Sequence, residues 1–174
     1  MLENWIWDKE QLDGFAADYR DPSRKIPSAI LDQLKEARLR TIATFYRRQL
    51  SFGILDLELH SLGSSDAGLD VVETSNQIIS DVFLPVPEET TFVTYFGHLT
   101  GYDAGYYGYA WADAIAADMA TVFEESPERY GDKTIARRLR ESIYAPGGSR
   151  DANDLIEEFL GRERSIQPFL KSIG

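Results

Sequence analysis

At 174 residues the chain is long enough for one ordinary domain with a real hydrophobic core, and 43% hydrophobic residues is typical of globular proteins. Eighteen basic against 29 acidic residues leave a formal charge of −11, which opposes the phosphate contacts on which nucleic-acid binding rests. With no cysteine, disulfides, thiolate catalysis and cysteine metal sites are excluded, and no apolar run approaches the ~18 residues of a membrane helix.

Taken in order, the chain reads as helices separated by clear breaks. Met1-Leu2-Glu3-Asn4-Trp5-Ile6-Trp7 has apolar residues at helical spacing but no capping residue before it. It reads as a helix entered partway along, so the chain is expected to be a truncated piece of a longer protein. Asp8 caps a short helix over 9–19, ended by Asp21-Pro22-Ser23. Pro27 suits a first turn and leads into Ile30, Leu31, Leu34 and Ala37 at three-to-four spacing. A second stripe, Leu39, Ile42, Tyr46 and Leu50, runs on toward Leu55 and Leu59 and stops near Gly63-Ser64-Ser65-Asp66. A helix follows over 70–83, closed by Leu84-Pro85-Val86-Pro87, and residues 90–96 carry the one run with strand propensity. An alanine-rich helix is expected over 104–125, another over 133–144, then a loop at 145–150 and a helix from the Asp151 cap to about 160. Together these predict a mainly α chain, one helical domain over 1–174 with at most one short extended segment. The clusters Arg38/Arg40 with Arg47/Arg48, and Arg137/Arg138/Arg140, lie among acids at helical spacing and read as solvated or paired faces.

The densest chemistry lies at Phe96-Gly97-His98-Leu99-Thr100-Gly101-Tyr102-Asp103-Ala104-Gly105-Tyr106-Tyr107-Gly108-Tyr109-Ala110-Trp111. Here one of the chain's two histidines stands beside four tyrosines and four glycines. On a helix beginning at 104, turns of ~100° per residue put Tyr102, Tyr106, Tyr109 and Asp113 on one face and Tyr107 and Trp111 opposite. Gly105 and Gly108 each cost ~1 kcal/mol relative to Ala inside a helix, so another backbone or a ligand is expected to approach there. Two readings stand side by side: a hydrogen-bonding wall for a peptide, or core aromatics at Tyr107 and Trp111 with the Tyr102 face as a rim. His60 reads as a packing or surface histidine on an amphipathic helix.

Four motifs in order carry a resemblance: the opening seven residues; Arg48-Gln49-Leu50 leading to Asp56-Leu57-Glu58-Leu59-His60; the stretch 96–111; and Ala145-Pro146-Gly147-Gly148-Ser149-Arg150-Asp151. The chain resembles, nearly end to end, the C-terminal part of the thimet oligopeptidase, oligopeptidase A and peptidyl-dipeptidase family of HExxH zinc metallopeptidases. The resemblance implies hydrolysis of short peptides by a zinc ion held on an HExxH helix and a later glutamate. It implies that His98 and Tyr109 act in catalysis, with Tyr109 as the oxyanion donor, and that Gly101, Tyr102, Gly105 and Tyr106 bind substrate. A phenol with a pKa near ~10 stays protonated at neutral pH and donates to developing negative charge. The family carries an extra glycine between the histidine and the first tyrosine, where only Leu99-Thr100-Gly101 stand here. The shorter loop leaves Tyr106 and Tyr109 on the helix.

In the family all the zinc ligands and the general base precede the segment at which this chain begins, and neither histidine here belongs to an HExxH. The expectation is therefore half an active site: no metal bound to this chain alone, no activity by itself, and zinc only in the intact enzyme. Its partners would be short peptides and the missing N-terminal part carrying the HExxH helix, with no nucleic acid and no membrane. The alternative is a non-catalytic helical peptide-binding or interaction module. A cytoplasmic location is expected, with an organellar one left open because a targeting segment would lie upstream.

Overall fold

A computed structural model describes residues 1–63 and 68–174. Ser64, Ser65 and Asp66 of the expected break lie outside the described residues. A 3₁₀ turn over Leu2–Trp7 precedes α1 (Lys9–Phe15), and the long α2 spans Ser28–His60. Helix α3 (Val71–Val82) is followed by 3₁₀ turns at Phe92–Tyr95 and Gly97–Thr100, then by α4 (Gly108–Glu124). Helix α5 (Lys133–Leu139) runs on as a π turn over Arg140–Tyr144, and α6 (Ala152–Leu160) and α7 (Gln167–Ile173) complete the chain. Among the described residues there is no strand, only an isolated bridge between Asp18 and Asp21. The protein is mainly α.

Helix starts follow their caps. Asp8 accepts from Gln11 N–H, Asp70 from Val72 and Glu73 N–H, Asp132 from Thr134 and Ile135 N–H, and Asp151 from Asn153 N–H. Each carboxylate satisfies an otherwise orphaned donor of the first turn. Gly161, at φ 72°, ends α6 in the left-handed conformation that glycine adopts without steric cost.

Four elements depart from the sequence expectation. Helix α1 stops at Phe15 because Ala16 is extended and the Asp18 carboxylate accepts from the Arg20 backbone N–H, closing a turn instead. The β-prone run at 90–96 forms a 3₁₀ turn. Among the described residues it has no neighbouring strand to pair with, and its Phe92 and Phe96 rings pack on Phe52 at 4.8 and 5.2 Å. Helix α4 begins at Gly108, four residues later than expected, so Tyr102, Gly105 and Tyr106 precede it. Helix α7 was not expected at all.

The chain divides into two compact units, Met1–Arg40 with Asp113–Gly174, and Thr41–Ala112. The first has a core of Met119, Phe123, Tyr130, Leu139 and Phe159, against which Trp5 packs edge-on to Phe123 and Tyr130, both at 4.9 Å. The Trp5 indole N–H also donates to the Tyr130 carbonyl at 2.8 Å. Beside this core, Asp118 is almost wholly buried and accepts from Arg162 Nη2 at 2.6 Å, Arg162 Nη1 at 3.1 Å and Ser165 N–H at 2.7 Å. The second unit is built on Phe52, Leu55, Ile79 and Tyr106, with Phe92 and Phe96 against them. Of the expected α2 stripes, Leu31, Ile42 and Leu55 are buried, whereas Ile30, Leu34, Leu39 and Leu50 are exposed.

Candidate functional site

The aromatic stretch lies wholly in the second unit. Short 3₁₀ turns bring His98 around to Tyr102, whose backbone N–H donates to the His98 carbonyl at 2.9 Å. The imidazole then stands edge-on to three phenol rings: Tyr106 at 5.1 Å, Tyr109 at 5.7 Å and Tyr102 at 5.8 Å, with interplanar angles of 82–84°. The Tyr106 and Tyr109 rings are 5.0 Å apart, and Tyr102 and Tyr109 6.2 Å. Such tilted and edge-to-face pairs are the favoured aromatic geometries. The four residues expected to act together are therefore together, although a helical face is not what gathers them.

Their environments differ. Tyr106 is 9% exposed, while Tyr102 and Tyr109 are half-exposed at 53% and 49%. The Tyr106 hydroxyl donates to Gln49 Oε1 at 2.8 Å. Burial, then the neighbouring Tyr109, push its pKa above the usual phenol value, with Arg48 opposing. Tyr106 thus enters as a fixed member whose single proton is already placed. Tyr107 and Trp111, expected as the core if the aromatics were structural, are both more than half exposed.

Only one of the two helix-start glycines is required by close approach. A Cβ on Gly105 would lie 2.8 Å from Tyr102 Cε1 and 3.2 Å from the Tyr102 carbonyl oxygen, so the missing side chain is what lets that ring fold over the turn. At Gly108 the nearest such atom is the Tyr102 hydroxyl at 3.9 Å, and at Gly101 it is the Gly97 carbonyl at 4.0 Å. The turn also contains Ala104 at φ 51°, a left-handed conformation that costs a non-glycine residue ~1–2 kcal/mol.

Beside Tyr109 lies a cleft of about 230 Å³, walled by Gln49, Gly53 and Leu57 of α2 and by Tyr106, Tyr107 and Tyr109. Apart from Gln49 the α2 wall is apolar, and the other wall carries phenols. That combination suits an extended chain with apolar side chains and hydrogen-bonding amides.

Sequence reasoning assigned no role to Asp56 or Gln49. Asp56 is wholly buried on α2 and accepts from Ala104 N–H at 3.0 Å and Tyr106 N–H at 2.9 Å. His60, one turn on, places Nδ1 2.7 Å from the Asp56 carbonyl and 3.0 Å from its Oδ1. The carbonyl chiefly raises the His60 pKa; burial opposes this, and the Asp56 charge, the Leu99 carbonyl and Asp103 add to it. The only advance signal was that Gln49 and Asp56 both fall in the motif that runs from Arg48-Gln49-Leu50 to Asp56-Leu57-Glu58-Leu59-His60.

The described residues offer no fitting ligand set for the zinc that the resemblance implies. Among the described residues no group of three or more His, Cys, Asp or Glu side chains could hold a metal ion. His60 is engaged with Asp56, and His98 stands among the phenols. Among the described residues no helix is long and apolar enough to cross a membrane.

Among the described residues the fold is helical, with a histidine–tyrosine cluster beside a cleft. The family model for Peptidase family M3 matches residues 1–174, and the chain belongs to that family. It is 35% identical over 177 residues to oligopeptidase A of Escherichia coli, covering all of this chain and 26% of that protein. It is 36% identical over 179 residues to saccharolysin of Saccharomyces cerevisiae, covering all of this chain and 24% of the yeast protein. A third relative, 33% identical over 181 residues, is the chloroplastic/mitochondrial organellar oligopeptidase A of Arabidopsis thaliana, with all of this chain and 22% of that protein covered. The chain spans about a quarter of the length of these curated relatives.

Proposed function

We propose that this chain forms the substrate-binding and oxyanion-stabilising part of a zinc metallo-oligopeptidase that hydrolyses short peptides, and that by itself it is inactive. The observation that carries the reading is the gathering of His98, Tyr102, Tyr106 and Tyr109 within ring contact beside an open cleft. Catalysis by such a wall is differential: a donor that meets the oxygen only when it becomes an oxyanion lowers the barrier without tightening substrate binding. Tyr109, half-exposed at the cleft, donates its phenolic proton to that oxygen, and His98 adds a second donor. Tyr102 donates to a substrate carbonyl. Tyr106 has its proton on Gln49, so its oxygen contributes by accepting from a substrate amide. Gly101 leaves room for the substrate backbone, and Gly105 lets the Tyr102 ring reach its place.

Short peptides are the substrates in this reading, and the partner is the preceding part of a longer chain that carries the HExxH helix. No hydrolytic step is assigned to a metal on this chain. A cytoplasmic setting belongs to the reading, with an organellar one as the alternative.

The test joins this chain to the part of Escherichia coli oligopeptidase A that precedes the matching quarter, and follows cleavage of a short peptide. Active chimera is expected, with Tyr109→Phe lowering kcat on the order of a hundred- to a thousandfold while KM stays within about threefold. A Tyr109→Phe variant within twofold of the parent in kcat overturns the reading. If the chimera does not assemble, calorimetry of the 174-residue chain with a short peptide decides, and absence of binding overturns it.

A further inference from the structure

The Asp56 carboxylate has no role in the chemistry just described, yet it is among the most completely buried polar groups of the chain. A carboxylate in that position is costly unless its lone pairs are met, and an apolar side chain of similar size would often serve a core as well. What the carboxylate provides is direction. Its two oxygens each meet a backbone amide of one turn, Ala104 at Oδ1 and Tyr106 at Oδ2. That turn contains the left-handed Ala104 and the close approach of Gly105 to Tyr102, so it would not hold this shape by local preference. The far end of Tyr106 is fixed as well, through its hydroxyl on Gln49 of the same helix. One turn along α2, His60 Nδ1 lies against both the Asp56 carbonyl and the carboxylate.

We infer that Asp56 is the positioning residue of the tyrosine wall: it clamps the 104–106 turn onto α2, and so sets where α4 begins and where Tyr109 meets the His98 ring. The amides of Ala104 and Tyr106 point at the carboxylate, so the chain turns toward α2 there. The helix then starts where Gly108 and Tyr109 N–H meet the Gly105 and Tyr106 carbonyls at 3.0 and 3.2 Å. The inference concerns the site read above as the substrate wall and rests on that reading for its catalytic consequence. The clamp itself is a separate, measurable fact.

The experiment uses amide hydrogen exchange and ring-to-ring contacts by NMR on the 174-residue chain, with the peptide-cleavage chimera as its functional arm. In the unaltered chain the Ala104 and Tyr106 amides exchange at least a hundredfold more slowly than in an unstructured peptide. Asp56→Asn replaces one acceptor by a donor; it speeds exchange at these two amides at least tenfold and abolishes the His98–Tyr109 ring contact. The Trp5–Phe123 contact of the other unit persists. In the chimera it lowers kcat at least tenfold with a smaller change in KM, and adding it to Tyr109→Phe costs less than threefold more. A merely structural residue would not show that non-additivity.

Amides in the unaltered chain that exchange at the unstructured rate overturn the clamp, whether or not the variant folds. So does Asp56→Asn with unchanged exchange and an unchanged His98–Tyr109 contact. A silent Tyr109→Phe with protected amides overturns the proposed function alone. A damaging Tyr109→Phe beside an Asp56→Asn variant with normal kcat overturns the positioning role alone.

Discussion

Each of the two compact units contains a buried aspartate, and the two are satisfied in opposite ways. In the first, Asp118 meets a guanidinium through two nitrogens and a single backbone amide, joining α4 to the segment after α6. In the second, Asp56 meets two backbone amides of one turn, with His60 as the neighbouring titratable group. The first arrangement fixes distant segments by charge and a bidentate fork, which favours strength. The second fixes the local course of the backbone, which favours geometry. The difference teaches that burial of a carboxylate does not announce its purpose, whereas its partners do.

The comparison breaks most severely at Arg162. Replacing it by Ala leaves the buried Asp118 carboxylate with Ser165 N–H as its remaining donor among those described. We expect a loss of about 3 kcal/mol, the low end for stripping the partner from a buried charge because Arg162 itself is partly exposed. Urea denaturation of the chain reads it, and a loss under about 1 kcal/mol would show the pair to be solvent-screened. Gly105→Ala comes next. Its methyl would press on the Tyr102 ring and carbonyl, at a cost on the order of 1–3 kcal/mol. Tyr102 should leave its place beside His98, seen as a changed Tyr102 ring shift, while an unmoved ring would contradict the packing.

The smallest effect is one of pH. His60 has its folded pKa raised above 6.5, so its protonated form favours folding. That contribution is fully present below the unfolded pKa near 6.5 and is lost as pH rises through the higher folded value. The urea midpoint should fall across that interval, less so in His60→Gln. A midpoint that rises with pH, by an amount that His60→Gln removes, would reverse the assignment.

Much of this was legible in advance. Asp8 and Asp151 announced two helix starts because a capping carboxylate followed by an apolar period is a local signal. The stretch holding His98, Tyr102, Tyr106 and Tyr109 stood out by its density, and the helical spacing and the family resemblance singled those four out. Their placement was less legible: the late start of α4 follows from a carboxylate some 50 positions away capturing two amides, a non-local contact that no window of sequence contains. The 3₁₀ turn at Phe92–Tyr95 escaped for a similar reason, since β-prone residues make a strand only where a partner strand exists. Helix α7 has no capping side-chain hydrogen bond to announce it.

The most direct test of the contrast places Arg162→Ala and Asp56→Asn side by side in the peptide-cleavage chimera, each measured for unfolding free energy and for kcat. Arg162→Ala should lose stability while the folded fraction keeps its kcat within about twofold. Asp56→Asn should lose at least tenfold in kcat at a temperature where it remains folded. If both variants lose kcat only in proportion to the fraction unfolded, the two aspartates do the same work and the account is wrong.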